Sequence, residues 1–382
     1  MPKDIVEGRI SSETVARVSG DHVDRLSRHK LSSGDIVYGR RGDIGRQALI
    51  RSEQEGWMCG TGCLRISLGE SILNPVFLHY YLCQDEVVGW ITNQAVGATM
   101  PNLNTGILRS VPVRYPPLPT QRRIAGILSA YDDLIENSQR RIRILEEMAR
   151  RLYREWFVHF RFPGHEDCLL VESPLGVIPE GWEVKLLPDC VAINPRVQVP
   201  REGIKPFVPM GCLSIDSMLI NDIESREGNS GSKFQNGDTL FARITPCLEN
   251  GKTGYVQFLS GSDSVAFGST EFIVLRSRSL TPELVYLLAR SDEFRGVAIK
   301  SMSGATGRQR VQEKCFDDYL LIQPLPNLLY DFSAVVRPGF DLIYKLHLEI
   351  QNLRRTRDLL LPRLLSGQID VEALSDPVLS ES

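Results

Sequence analysis

The sequence predicts an α+β protein. It has two mixed α/β domains of similar fold, separated by two long helices packed as an antiparallel coiled coil. Three observations predict this. Markers recur in one order at a nearly constant offset, so whole domains are duplicated. An apolar stripe at heptad spacing follows each copy. The 382 residues exceed one ordinary core and suit two or three domains.

The duplication is read from four pairs of markers. Gly34-Asp35 opens "GDIVYGRRGDIGRQALI", and Gly237-Asp238, 203 residues on, opens "GDTLFARITPCLENGKTGY". Three later pairs share an offset of 207: "NPVFLHYYL" with "TPELVYLLA", "VGATMPNLN" with "SGATGRQRV", and "YPPLPTQ" with "IQPLPNL". The change of offset falls in the hairpin region, where insertions add little loop-closure entropy.

Each element follows in order. The first domain, 1–118, holds a strand, a basic turn and a second strand after Gly34-Asp35. By offset Met1 aligns with about Ile204. Residues 181–203 of the second copy therefore lack a counterpart, and the first domain is expected to be short by an opening strand and its turn. The first spacer helix, 119–161, carries Ile124, Leu128, Tyr131, Ile135, Ser138, Ile142, Leu145, Ala149, Leu152 and Trp156 at alternating steps of four and three. This seam keeps one stripe toward a partner helix over roughly 50 Å. Arg140, Arg141, Arg143, Arg150, Arg151 and Arg154 lie among acids on the other faces, either solvated or docking a partner. A Pro- and Gly-rich linker, 162–180, leads to the second domain, 181–326. There "NGDTLFARI" alternates, with Leu240, Ala242 and Ile244 on one side and Phe241 and Arg243 on the other. The second spacer helix, 327–368, carries Ile343, Leu346, Ile350, Leu353, Arg357, Leu360 and Leu364. Pro338 and Gly339 are expected to interrupt its front, Pro362 to kink or end it, and Gly367 to stop it. Residues 369–382 read as a loose polar tail.

Candidate chemistry is tested against the same frame. Gly251-Lys252-Thr253 looks like the end of a phosphate-binding loop. That loop needs a glycine five positions before Gly251, and the position holds Pro246, which has no N–H to offer. There is no HExxH, no G-x-G-x-x-G and no dense His/Asp/Glu cluster. "NPVF" lacks the second proline of the motif that amino-methyltransferases use. No catalytic, metal, nucleotide or methyl-donor site is expected. The eight cysteines are scattered without a CxxC, which suits reduced thiols. No apolar run approaches the ~20 residues that span a bilayer, and no signal-peptide core is present, so a cytoplasmic protein is expected.

A net charge of −3 argues against a uniformly basic nucleic-acid coat but allows local basic faces. Arg40, Arg41 and Arg46 cluster on the first basic turn, with Asp35 and Asp43 nearby. Arg243 and Lys252 sit on the equivalent turn, read as an exposed basic tip. No acid lies between Glu293 and Glu313, whereas Arg295, Lys300, Arg308 and Arg310 do, with Thr306 and Gln309 in "SGATGRQR". The counterpart "GATMPNLN" offers Thr99, Asn102 and Asn104. Arginine matches guanine and phosphate, and Gln or Asn matches adenine. The alternative for each is an ordinary solvated turn.

The stretches "PPLPTQRRIAGILSAYDDLIENSQRRIRILEEMARRLYREWF", "PLGVIPEGWEV", "NGDTLFARITPCLENGKTGY", "SGATGRQRV" and "LRRTRDLLLPRLLSGQID" resemble the DNA-specificity subunits of type I restriction–modification systems. The resemblance covers nearly the whole chain. The Pro-Leu-Pro helix start and Gly181-Trp182 are its most specific parts. It implies two target-recognition domains, each reading half of a bipartite site in double-stranded DNA. It implies spacer helices that set the distance and dock two methyltransferase subunits, with restriction/translocase subunits joining later. It also implies a subunit without chemistry of its own, S-adenosylmethionine, ATP and magnesium belonging to its partners. The alternatives are a partial or silent cassette acting only as a coiled-coil interaction protein, and a fused restriction or methylation enzyme, which the missing motifs disfavour.

Overall fold

Gly34 takes a left-handed φ of +90°, and the buried Asp35 turns back so that its Oδ2 accepts from the Ser32 N–H at 3.0 Å. This closed turn launches the strand Ile36–Gly39. The computed structural model describes residues 1–373 apart from 13–14, 43, 70, 96–101, 262–263 and 306. The chain forms two compact units, Met1–Glu136 with Gln351–Ser382, and Asn137–Ile350.

In the first unit Ile36–Gly39 is the centre of an antiparallel sheet, between Gln47–Leu49 and Cys63–Ile66. Ile36 and Tyr38 pack with Leu78, Leu82 and Ile91 of the helices Pro75–Leu82 and Asp85–Gln94. Val37 packs on the other face with Ala48, Ile50 and Leu31. The first of these helices starts where Asn74 accepts from the Phe77 N–H at 3.0 Å, with Pro75 in the first turn. Its Phe77 and Tyr80 join Ile124 and Leu128 of the first long helix, Leu118–Tyr153, and Leu364 of the second, Pro326–Leu365. Thr120 meets Glu372, and Asp132 takes Arg357 at 2.5 Å, so the two helices run antiparallel in this unit. The buried Gln121 bonds the start of the first long helix to the start of Pro75–Leu82. It accepts from Asn74 N–H at 2.8 Å and donates to the Ile72 and Pro116 carbonyls.

The second unit repeats this frame. Gly237 has φ +86°, and Asp238 accepts from the Gln235 N–H at 2.8 Å. Burial raises the Asp238 pKa, and the Arg276 fork at 2.6 and 2.7 Å opposes that shift. Thr239–Ala242 lies between Thr253–Tyr255 and Phe272–Ser277, with Val191–Ile193 added at the edge. The helices Pro282–Arg290 and Asp292–Lys300 follow, capped by Thr281 and Ser291. A second sheet holds Glu224–Glu227, Ile204–Val208, Val265–Gly268 and Ser232–Gln235 in that order. Both glycine turns sit against the proline of the following helix, 3.5 Å from a Cβ on Gly34 to Pro75 and 3.7 Å from one on Gly237 to Pro282.

The structure corrects two expectations and adds to two others. Thr239–Ala242 is a strand, as its alternation predicts, and is buried at every position because the sheet is covered on both faces. Within the linker, Leu170–Ser173 pairs with Gly176–Pro179, and at the start of the second domain Glu183–Leu186 pairs with Leu320–Gln323. Pro338 and Gly339 do not interrupt the second long helix, and Pro362 does not end it. Both prolines face solvent, as do Ala334 and Asp358 four residues before them, so water can take the freed carbonyls. Asp35 is a buried turn anchor rather than a solvated neighbour of the basic turn.

The heptad stripe is where the spacing puts it. Ile124, Leu128, Ile135, Ser138, Ile142, Ala149 and Trp156 are buried, and Tyr131, Leu145 and Leu152 are half-buried. On the second long helix Phe332, Val336, Phe340, Ile343, Leu346, Ile350 and Leu364 are buried, with Leu353, Arg357 and Leu360 half-buried. Trp156 and Phe157 pack on Phe332, at ring distances of 5.7 and 4.8 Å. Gly367 takes φ +74° directly after the second helix, as its stop.

Candidate nucleic-acid interface

Strand register fixes which basic residues correspond. Tyr38 opposes Gln47, and Phe241 opposes Thr253. Gly45-Arg46-Gln47 is therefore the counterpart of Gly251-Lys252-Thr253, a match the sequence offset hides. A Cβ on Gly45 would lie 2.9 Å from Val88 Cγ1, and one on Gly251 2.4 Å from Arg295 Nη1. Both glycines also have positive φ, +107° and +82°. The Gly-Lys-Thr glycine is thus a turn requirement shared by both repeats. Thr253, like Gln47, is buried.

The same stitch holds a loop against each basic strand end. In the first repeat Leu103 N–H donates to the Arg40 carbonyl at 2.9 Å, Arg40 Nε returns to the Leu103 carbonyl at 3.2 Å, and Arg41 bridges Asn102. In the second repeat Val311 N–H donates to the Arg243 carbonyl at 2.9 Å, and Ile244 bridges Arg310. Thr245 and Gln309 lock the loop, with N–H donors in both directions at 3.0 Å. Arg40, Arg41 and Asn102 are therefore brought together, as are Arg243, Gln309 and Arg310. Arg46 and Lys252 stand on the neighbouring strands, tied by Gly39 N–H to the Arg46 carbonyl and Ala242 N–H to the Lys252 carbonyl.

The tip of the second repeat is less exposed than its sequence suggests. Lys252 is half-buried, and its Nζ donates to the Met210 carbonyl at 3.0 Å, because the 210–212 turn lies over it. Arg243 is half-buried, and its Nη1 pairs with Glu313 at 2.8 Å. Glu313 also accepts from Asn194 Nδ2 at 2.8 Å. Arg310 is held from the other side by Glu271, through Nε at 3.0 Å and Nη2 at 2.6 Å. That bond keeps the Glu271 carboxyl below its usual pKa.

Lys300, at the end of its helix, and Arg308 are exposed, as are Arg41 and Arg46. Asn104 caps the helix Thr105–Arg109, its side-chain oxygen accepting from the Ile107 N–H at 2.9 Å. The Asn102 Oδ1 is buried without a hydrogen-bond partner among the described residues. Thr99 and Thr306 lie outside the described residues.

Glu271, Glu313 and Asn194 were not anticipated. Glu313 closes the acid-free window and is visible in the sequence in that sense only. Glu271 meets Arg310 across 39 residues of chain, through sheet register alone. The same register places Gly62 and Thr105 at the equivalent positions of the first repeat, so that edge carries no acid there.

Two buried carboxylates tie the second repeat to long-helix residues of its own unit. Glu146 accepts from Ser217 Oγ and Met218 N–H, both at 2.7 Å, and Glu283 pairs with Arg337 at 2.8 Å. On the outer face of the first long helix, Ile144 and Met148 are 49% and 60% exposed, flanked by Arg140, Arg143 and Arg151.

Residues 7–147 match the family model for the type I restriction modification DNA specificity domain. The chain is 28% identical over 371 residues to the MjaIX specificity subunit of Methanocaldococcus jannaschii, covering 92% of this chain and 81% of that one. It is 21% identical to the HindI specificity subunit of Haemophilus influenzae, covering 90% and 88%. In fold it is similar to a crystal structure of a type I restriction–modification S subunit from M. genitalium, with a TM-score of 0.54 at 15% identity over 88% of this chain and 84% of that one. With the family model on the first repeat, relatives spanning both repeats and a frame doubled down to its turn glycines, the chain is similar along both repeats to the specificity subunits of type I restriction–modification systems.

Proposed function

We propose that the chain recognises a bipartite DNA site, with the domain 1–118 reading one half and the domain 181–326 the other. The observation that carries this is the doubled basic edge: Arg40, Arg41 and Arg46 in one repeat, and Arg243, Lys252 and Arg310 in the other, on strand ends stitched to a polar loop in the same way. Phosphate contacts set position, and side chains in the groove select bases. Arg41, Arg46, Lys300 and Arg308, being exposed, suit phosphate.

The two long helices form an antiparallel coiled coil that sets the distance between half-sites. The outer face at Ile144 and Met148, with its flanking arginines, docks methyltransferase subunits, one for each repeat. Restriction/translocase subunits join that assembly. The chain is the non-catalytic component, and S-adenosylmethionine, ATP and magnesium act on the partners. Among the described residues no helix is long and apolar enough to cross a membrane, and we place the assembly in the cytoplasm.

The experiment is methylation mapping. The purified chain alone leaves DNA unmodified, and adding its methyltransferase partner yields methylation at a split motif. Modification by the chain alone, or modification without a split motif, would overturn the reading.

A further inference from the structure

Arg310 and Glu271 have a geometry that goes beyond backbone contact. The side edge of the guanidinium, Nε with Nη2, is filled by the carboxylate, at 3.0 and 2.6 Å. Glu271 is itself held: its N–H donates to Ser269 Oγ at 3.2 Å, its carbonyl accepts from Arg243 N–H at 3.0 Å, and its side chain is only 22% exposed. The plane of the arginine is thereby fixed. Its end edge, Nη1 with the second Nη2 hydrogen, has no partner among the described residues, on a side chain 46% exposed.

That edge offers two parallel N–H donors, which match O6 and N7 of guanine in the major groove. A phosphate could accept the same hydrogens, but it gains nothing from a fixed plane. It would also meet the Glu271 charge beside the arginine. A neutralised, plane-fixed arginine is a poor phosphate anchor and a good base reader.

We propose that Arg310 reads a guanine in the half-site addressed by the second repeat, and that Glu271 is its positioning residue. This rests on the reading of that repeat as a DNA-recognition domain. The equivalent positions in the first repeat are Asn102 and Gly62, so the effect belongs to one half-site.

The test uses the full chain assembled with its methyltransferase partner on genomic DNA. Methylated sites are mapped for the wild type, Glu271→Gln and Arg310→Lys. Both variants should lower the preference for guanine roughly tenfold or more at the same single position of one half-site. The other half-site should be unchanged. An unaltered motif in both variants overturns the inference while leaving DNA recognition standing. So does a loss spread evenly over all positions, which marks a phosphate or folding role. A wild-type assembly without a split motif overturns the underlying reading, and this inference with it.

Discussion

Gly45 and Gly251 are equivalent residues with positive φ; a Cβ on Gly45 would press on Val88, whereas one on Gly251 would crowd only the movable end of the Arg295 side chain. Each alanine substitution should destabilise its repeat through the strained φ by about 1–3 kcal/mol, Gly45→Ala more than Gly251→Ala, read as a lowered melting temperature. Gly56, also at positive φ but with open space around it, should respond less to the same change. His79 makes a pH prediction. Burial pushes its imidazole from 6.5 to about 4. Between those values it is neutral in the fold and charged in the unfolded chain. Its contribution is therefore intact above about 6.5 and lost as pH falls through about 4. His79→Gln should flatten the stability profile across that window, by on the order of 3 kcal/mol. An unchanged acid limb would refute this. Lys300→Ala and Arg308→Ala should each weaken DNA binding uniformly across sequences and lower the salt slope by about one, measured by titration at several salt concentrations.

At the scale of elements, the strands, the repeated helix pair and the heptad stripe were legible, because period and turn chemistry are local properties. Gly34-Asp35 and Gly237-Asp238 announced their strands, since the residues that make the turn are adjacent in sequence. The fate of the prolines was not legible, because it depends on which helix face meets solvent. Pro338→Ala should raise stability by about 1–3 kcal/mol, since the proline contributes nothing to the buried stripe. Glu146→Ala should cost about 1–3 kcal/mol by leaving Ser217 and the Met218 N–H without an acceptor, and Glu146→Gln less. Denaturant melts of the paired variants decide this. The basic edges were half legible: the residue types were visible, but their partners were not. Lys252 looked free until the Met210 carbonyl was placed beside it, and Arg310 until Glu271 was.

For the whole molecule, a net charge of −3 supplies no global attractive field for DNA, so the proposed recognition rests on local edges. The edges differ in kind. The first has three arginines and no acid at the positions of Glu271 and Glu313, whereas in the second those carboxylates pair Arg310 and Arg243. Substituting the exposed Arg41 of the first should therefore reduce the salt dependence of binding more than substituting Arg310 of the second. The two variants, compared over a salt series, test it.

The turn glycine, the buried aspartate and the capped helix are the same in both halves, while the side chains at the stitched loop differ. Framework and message are thus encoded separately. A recombination event between the two halves of the gene, within the frame that they share, would carry a complete set of edge residues onto a scaffold already built to hold it. Lineages could in this way acquire new half-site combinations in a single step, without first passing through an unstable intermediate.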